Sequence, residues 1–237
     1  MPDSTQLLIG ADLSGLPIAQ SMRLANRHGL IAGATGTGKT VTLQRLAEAF
    51  SDAGVAVFAA DIKGDLCGLG AAGNPQGKVA ERIAGMPFLN YTAKAYPVTL
   101  WDIHGQSGHP LRTTISEMGP LLLGSLLELT DSQQSALYAA FKVADREGLL
   151  LLDLKDLKAL LNHLRYHPEL LGDDAALMTT GSSQALLRRL AVLEQQGAEA
   201  LFGEPALQLE DILQPTGDGR GRIHLLDASR LVHEAPK

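Results

Sequence analysis

The sequence has few aromatic residues and a single cysteine among its 237 residues. Phe, Trp and Tyr together make up 4% of the chain, so the core must consist mainly of Leu, Ala, Val and Ile. Such a core favours an α/β fold over an all-β sandwich. The one cysteine, Cys67, excludes an intrachain disulfide and a zinc site built from cysteines, which favours a reducing compartment.

An excess of basic residues is also absent. Twenty Lys and Arg residues face 26 Asp and Glu residues, for a net charge of −6. This charge gives no overall attraction to nucleic acid or to anionic membranes, so any contact with DNA must be local.

Long apolar runs are missing as well. The most apolar stretch, residues 148–164, contains four charged residues and falls short of the ~20 apolar residues that cross a bilayer. The N-terminus carries Asp3 and only a short apolar run, which does not fit a signal peptide. We therefore expect a cytoplasmic, soluble chain with no membrane partner.

Short apolar runs bounded by Gly or Asp alternate with helical patterns, which indicates an α/β fold with a mostly parallel sheet. The segment at 14–28 is predicted to be irregular. Helical patterns cover residues 40–52 and, more briefly, 78–85. Strands are predicted at residues 6–9, 29–32, 55–60, 98–101 and 222–226.

Residues 115–202 show no convincing strand and four helical patterns, at 115–129, 132–147, 154–166 and 182–201. This exceeds what one crossover between strands needs, so we expect a helical insertion at 115–202 in a core formed by 1–114 and 203–237. Thr130, Asp131 or Ser132 could cap the second helix, Pro168 ends the third, and Ser182 or Ser183 could open the fourth.

Residues 33–40 (GATGTGKT) match the phosphate-binding pattern G-x-x-x-x-G-K-[ST], between an apolar run and an amphipathic helix. Glycines let the backbone turn its N–H groups toward phosphate oxygens, and the helix points its positive end at the anion. Lys39 would reach the β- and γ-phosphates, as the catalytic residue of the loop, and the Thr40 hydroxyl would ligate Mg²⁺. The pattern predicts binding of a nucleoside triphosphate, most simply ATP with Mg²⁺. The expected nucleotide-binding residues are Gly33, Ala34, Thr35, Gly36, Thr37, Gly38, Lys39, Thr40 and Val41.

Two further strand ends carry an acid that could hold magnesium. Asp61 ends the strand after the loop helix, at the sheet edge where ligands collect in open α/β folds, so a site role and a structural role are equally supported. For Asp227, which ends the last predicted strand, a turn role is favoured. His163 and His167 stand four apart on a helix, but no third metal ligand is evident, and a solvated helix end is the better interpretation.

The segment ANRHGLIAGATGTGKTVTLQRLAEAF, followed by VFAADIKGDL, resembles the HerA-like branch of the HerA/FtsK superfamily of P-loop motor ATPases. It is similar in particular to bacterial proteins described as HerA-like helicases of unknown function. The likeness continues through most of the chain, including VTLWDIHGQSGHPLRTTISEMGPLLLGSLLEL. Residues 33–40 match the nucleotide loop (Walker A) of the family, and Asp61, Lys63 and Gly64 match its D-x-K-G motif.

This resemblance implies a RecA-like core with a helical insertion and ATP hydrolysis with Mg²⁺. It also implies assembly into a homo-oligomeric ring, a hexamer in much of the superfamily, and translocation on double-stranded DNA. Family members carry, further along, an apolar strand ending in Asp-Glu that coordinates magnesium and activates water. That strand is missing here, so we expect an N-terminal half that binds ATP and hydrolyses it weakly or not at all alone. Two alternatives stay open: a small-molecule phosphotransferase (kinase) and a non-hydrolysing nucleotide-binding module.

Overall fold

A computed structural model of the chain describes residues 6–12 and 14–229. It divides into two compact units. The first, here called the sheet unit, has its described residues within Met1–Asp102, Ser107–His109 and Gln208–Lys237. The second, the helical unit, comprises Ile103–Gln106 and Pro110–Leu207.

The central sheet of the sheet unit has the strand order β3-β6-β4-β5. Strand β6 is central and runs parallel to both β3 and β4. Val57 of β3 and Val98 of β4 are both in register with Ile223 of β6. Because parallel strands share their direction, the carboxyl ends of these three strands lie at one edge. The strand bounds are β3 Val57–Asp61, β4 Val98–Asp102, β5 His109–Pro110 and β6 Ile223–Asp227.

Three helices belong to this unit: α1 Lys39–Asp52, α2 Lys78–Ala84 and α7 Leu209–Leu213. The first two agree with the predicted helices to within one residue. Gly54, with φ of 79°, follows α1 in the left-handed region that glycine adopts without strain. A core cluster unites α1, the sheet and the turn after β3 through Ala47, Leu66, Leu69, Tyr96, Ile223 and Leu225.

The first strand, β1 Gln6–Ala11, belongs to a separate two-stranded sheet. Its antiparallel partner is β2 Pro17–Ser21, so the irregular structure predicted at 14–28 is wrong for that stretch. Asp12 forms the turn, because its Oδ1 accepts from the N–H groups of Ser14 and Leu16, both at 2.9 Å. The strand was missed because five residues starting with Pro give little alternation to recognise.

A strand predicted at 29–32 is absent, and residues 28–34 are irregular. Leu30 is 91% exposed there. An apolar run bounded by glycines fits the pattern of a strand, but a strand also needs a hydrogen-bonded neighbour. In the described part of the chain, the central sheet ends at β3 and no strand pairs with this segment.

Four α-helices build the helical unit, as predicted: α3 Ile115–Leu126, α4 Asp131–Glu147, α5 Leu154–Tyr166 and α6 Thr180–Gln195. Thr130 caps α4, as expected, and its N–H donates to Gln133 Oε1 at 3.1 Å. Pro168 follows the end of α5 and opens a 3₁₀ segment, Pro168–Leu177. The core consists mostly of buried leucines, among them Leu123, Leu137, Leu157, Leu161, Leu164, Leu186 and Leu190.

Three details of these helices differ from prediction, and the first is that α6 ends at Gln195 and not at residue 201. Helix α6 is capped by Thr179 and not by Ser182 or Ser183, both of which lie buried in its first turns. The Thr179 Oγ1 accepts from the Ser182 N–H at 3.1 Å, which sets the start earlier. Helix α3 is shorter than predicted and is kinked at Gly119, with φ of 69°, where Pro120 removes a backbone donor.

Short 3₁₀ helices complete the chain at Met22–Leu24, Cys67–Gly70, Pro87–Leu89 and Ala198–Ala200. The α/β class is confirmed, with helices and a central sheet whose β3, β6 and β4 are parallel. In the described residues no helix is both long and apolar enough to span a bilayer.

Candidate nucleotide-binding site

The glycine loop leads directly into α1, which begins at Lys39. Gly36 and Gly38 have φ angles of 82° and 99°, so both lie in the left-handed region that other residues rarely adopt. Gly38 is the N-cap of α1 and offers no side chain to the first-turn N–H groups. Those N–H groups, together with the positive end of the helix dipole, favour an anion.

The loop is closed upon itself by short contacts. Thr37 Oγ1 donates to the Ala34 carbonyl at 2.8 Å. A Cβ placed on Gly33 would lie 2.5 Å from that same Thr37 hydroxyl, so a side chain at position 33 would force the loop to rearrange. Thr35 and Val41 are exposed. The nine predicted nucleotide-binding residues are consecutive and comprise the glycine loop and the first residues of α1.

Lys39 folds back over this loop. Its Nζ donates to the carbonyl oxygens of Gly33 at 2.8 Å and Ala34 at 2.7 Å. These contacts hold the ammonium group above the loop backbone. Backbone carbonyls are neutral acceptors, so phosphate oxygens can take their place and form a stronger, charge-assisted hydrogen bond with the ammonium group.

Thr40 reaches a carboxylate from another segment. Its Oγ1 donates to Asp65 Oδ2 at 3.1 Å. Gln44, one helical turn further along α1, donates from Nε2 to the Asp65 carbonyl at 2.9 Å. Sequence reasoning missed Asp65, although the signal was present as a second acid in the run DIKGD, four residues after Asp61.

Asp61 lies at the end of β3, as predicted, and is 5% exposed. Its carboxylate caps the following turn: Oδ1 accepts from the N–H groups of Lys63 at 3.2 Å and Gly64 at 2.8 Å, and Oδ2 accepts from Leu66 N–H at 2.9 Å. Both oxygens thus hold the turn that carries Asp65. The structure brings Thr40 together with Asp65, and the metal role predicted for Asp61 stays a prediction.

The other two strand-end acids of the central sheet also bind turns. Asp227 Oδ1 accepts from the N–H of Ser229 at 3.0 Å and from its hydroxyl at 2.6 Å, as the turn interpretation predicts. Asp102 Oδ2 accepts from Ser107 N–H at 2.9 Å. An aspartate after a parallel strand therefore serves here to redirect the chain.

His163 of α5 and His167, just after the end of that helix, make local contacts. The rings of His163 and His167 lie 4.5 Å apart between centroids, and His167 Nδ1 lies 3.0 Å from Glu169 Oε1. Across residues 6–12 and 14–229, no group of three or more His, Cys, Asp or Glu side chains could hold a metal ion. A cation at Thr40 would therefore depend on oxygen atoms of a bound nucleotide.

A buried histidine that sequence reasoning did not single out lies on the central strand. His224 is 1% exposed, and its Nδ1 lies 3.0 Å from the donating Trp101 Nε1. Its Nε2 lies 3.1 Å from the Ile212 carbonyl, so the neutral tautomer with hydrogen on Nε2 satisfies both partners. Burial lowers the pKa of His224, and Arg222 adds to the shift, whereas the bond to Ile212 opposes it.

An α/β protein with a glycine-rich loop opening a helix beside a parallel sheet has the arrangement typical of nucleotide-binding proteins. The chain belongs to the HerA-like helicase family, because the model of the helicase HerA-like C-terminal domain matches residues 6–237. This membership indicates an ATPase or helicase type of function, with ATP as the nucleotide. A search among curated proteins gave no match.

Proposed function

We propose that this chain binds ATP with Mg²⁺ at the glycine loop and serves as the nucleotide-binding portion of a HerA-like motor ATPase. The observation that carries the proposal is the start of α1. A cap without a side chain leaves the first-turn N–H groups for an anion, and the Lys39 ammonium lies over the same loop. The proposed ligands are residues 33–41, with Lys39 on the β- and γ-phosphates.

The oxygen atoms at this site are of the kind that Mg²⁺ binds. Thr40 supplies a hydroxyl oxygen held beside the Asp65 carboxylate, and Mg²⁺ prefers such hard oxygen ligands combined with phosphates and water. Thr40 would hold Mg²⁺ at this site, and the cation would supply positive charge that neutralises the phosphates. The residues of the chain orient the nucleotide around it.

Family membership supports the wider proposal of a motor that acts on double-stranded DNA and assembles into a ring, a hexamer in the simplest case. Residues 1–114 and 203–237 would form its RecA-like core, and 115–202 a helical lobe. The net charge of −6 is compatible with this proposal, because a ring can line its pore with few basic residues.

Binding and hydrolysis are separate parts of the proposal. The dipeptide Asp-Glu does not occur in the 237 residues, so no apolar strand among them ends in the pair that activates water in the family. We therefore propose ATP binding as the property of this chain alone, with weak hydrolysis at most. The central use of the site is to hold and orient the nucleotide.

The test is Lys39→Ala, measured by the fluorescence anisotropy of a labelled ATP analogue in Mg²⁺. A hydrogen bond to a charged group contributes about 1.5–3 kcal/mol, so we expect the affinity to fall by roughly 10- to 100-fold. Circular dichroism should show an unchanged fold, because the Lys39 ammonium group donates to carbonyls of the glycine loop and not to the core.

Lys155→Ala is the matched control, since this lysine is exposed on α5 and should leave binding unchanged. Equal affinities for the wild type and Lys39→Ala would remove the glycine loop as the nucleotide site.

A further inference from the structure

We propose that Asp65 is the positioning residue for the Thr40 hydroxyl, and that it acts through Thr40 to make nucleotide binding depend on Mg²⁺. The inference rests on the proposed ATP site and extends it. Its basis is the Thr40 Oγ1 to Asp65 Oδ2 bond of 3.1 Å, between side chains 25 residues apart in the sequence.

A hydroxyl group has one hydrogen to donate and two lone pairs to offer. With its hydrogen committed to Asp65, Thr40 Oγ1 keeps both lone pairs for a hard cation. Thr42, two residues further along α1, shows the other hydrogen bond that a threonine hydroxyl can make in a helix. Its hydroxyl donates to the backbone carbonyl of Gly38, the N-cap of the same helix, at 3.1 Å.

Asp65 is held in place by its surroundings. Gln44 donates to its carbonyl, and Gly64 before it has φ of 73°, a left-handed turn conformation. Leu66 after it is 4% exposed and belongs to the core cluster that includes Ala47 of α1. The turn is therefore anchored on both sides of Asp65, while Asp65 itself is exposed beside Thr40.

The two acids of the run DIKGD therefore have different roles. Asp61 is buried and accepts three backbone N–H groups, which fixes the turn. Asp65 presents a carboxylate oxygen to the glycine-loop helix. Substituting Asp61 should lower the stability of the fold, whereas substituting Asp65 should alter how the nucleotide affinity responds to Mg²⁺.

The experiment compares Asp65→Asn with the wild type, using a labelled ATP analogue with Mg²⁺ and again with EDTA. We expect the gain in affinity that Mg²⁺ provides to fall by about tenfold or more, which is typical when a partner of a metal ligand is lost. Affinity in EDTA should be unchanged or slightly higher, since a negative charge near the phosphates is removed. Asp61→Asn is the comparison: it should lower the unfolding midpoint, whereas Asp65→Asn should not.

A double-mutant cycle shows whether Asp65 acts through Thr40. Because Thr40→Val already removes the hydroxyl, adding Asp65→Asn to it should change the Mg²⁺-dependent gain by less than about twofold. Additive effects would overturn the proposal. So would equal losses of affinity with Mg²⁺ and with EDTA, which indicate a merely structural role. If the wild type bound no nucleotide under either condition, the proposed function itself would fall and this inference with it.

Discussion

The first turns of the helices are capped differently in the two units. In the helical unit, side chains close the first turns: Glu117 N–H donates to Thr114 Oγ1 at 3.1 Å, and Lys155 N–H to Asp153 Oδ1 at 2.7 Å. In the sheet unit, α1 begins at Lys39, and its N-cap, Gly38, provides no side-chain cap. A cap contributes about 1 kcal/mol, so α1 lacks a stabilisation that α3 and α5 have. The N–H groups left open there are the ones that a phosphate needs.

The hydrophobic cores of the two units also differ, in size and in composition. The helical unit has a large cluster of fully buried leucines, whereas the cluster described for the sheet unit is smaller and mixes Ala, Leu, Tyr and Ile. Both units expose some large apolar side chains, for example Leu30 and Phe58 in the sheet unit and Leu121 and Leu150 in the helical unit, so the buried clusters are what distinguishes them. Hydrophobic burial therefore stabilises the helical unit most, and the sheet unit depends more on buried polar contacts such as those of Asp61 and His224.

The largest effect is expected in the helical core. Leu161 of α5 is completely buried, so Leu161→Ala should lower the free energy of unfolding by about 2–5 kcal/mol through lost burial and a cavity. Urea unfolding followed by circular dichroism at 222 nm measures this change.

Leu150→Ala is the control, because Leu150 is 74% exposed and should cost less than about 0.5 kcal/mol. Similar costs for both variants would mean that the leucine cluster does not hold the helical unit together as described.

A smaller, pH-dependent effect is expected from His224 in the sheet unit. Its pKa is lowered from the ordinary value of 6.5, so the folded state favours the neutral ring. The stabilisation is present above the unfolded pKa and is lost as pH falls below about 6.5, because the unfolded chain then binds a proton that the folded chain excludes. Stability should therefore fall between pH 7.5 and 5.5, by at most about 1.4 kcal/mol per pH unit.

The fluorescence of Trp101, the only tryptophan of the chain, reports this unfolding from within the sheet unit. His224→Gln should flatten the pH dependence, since an amide does not titrate. His109→Gln is the matched control: His109 also lies 5.9 Å from the Trp101 ring but is exposed, so the wild-type dependence should persist. A flat profile in the wild type would contradict the neutral, buried ring.

The sequence allowed different degrees of prediction in the two units. The helices could be found because a 3.6-residue period extends over several turns, as in α5, which was predicted with its exact bounds. The glycine loop could be found because its spacing is specific. Asp65 was visible in the sequence only as the second acid of DIKGD, and its contact with α1 could not be inferred, because the local pattern does not state where the turn after β3 folds. Whether a segment finds a strand to pair with is likewise not encoded locally, which explains the segment at 29–32. Strand β2 pairs with the neighbouring β1 and was not recognised because its five residues show little alternation.

The smallest expected effect tests that last segment. Leu30 is 91% exposed, so Leu30→Ala should change the free energy of unfolding by less than about 0.5 kcal/mol. Leu225→Ala is the comparison, since Leu225 is 2% exposed on the central strand and should cost about 2–5 kcal/mol. Both are measured by Trp101 fluorescence in urea. A cost for Leu30→Ala close to that of Leu225→Ala would mean that 29–32 is packed as a strand, as the apolar pattern predicts. A near-zero cost would agree with the irregular, exposed segment that the structure places at 29–32.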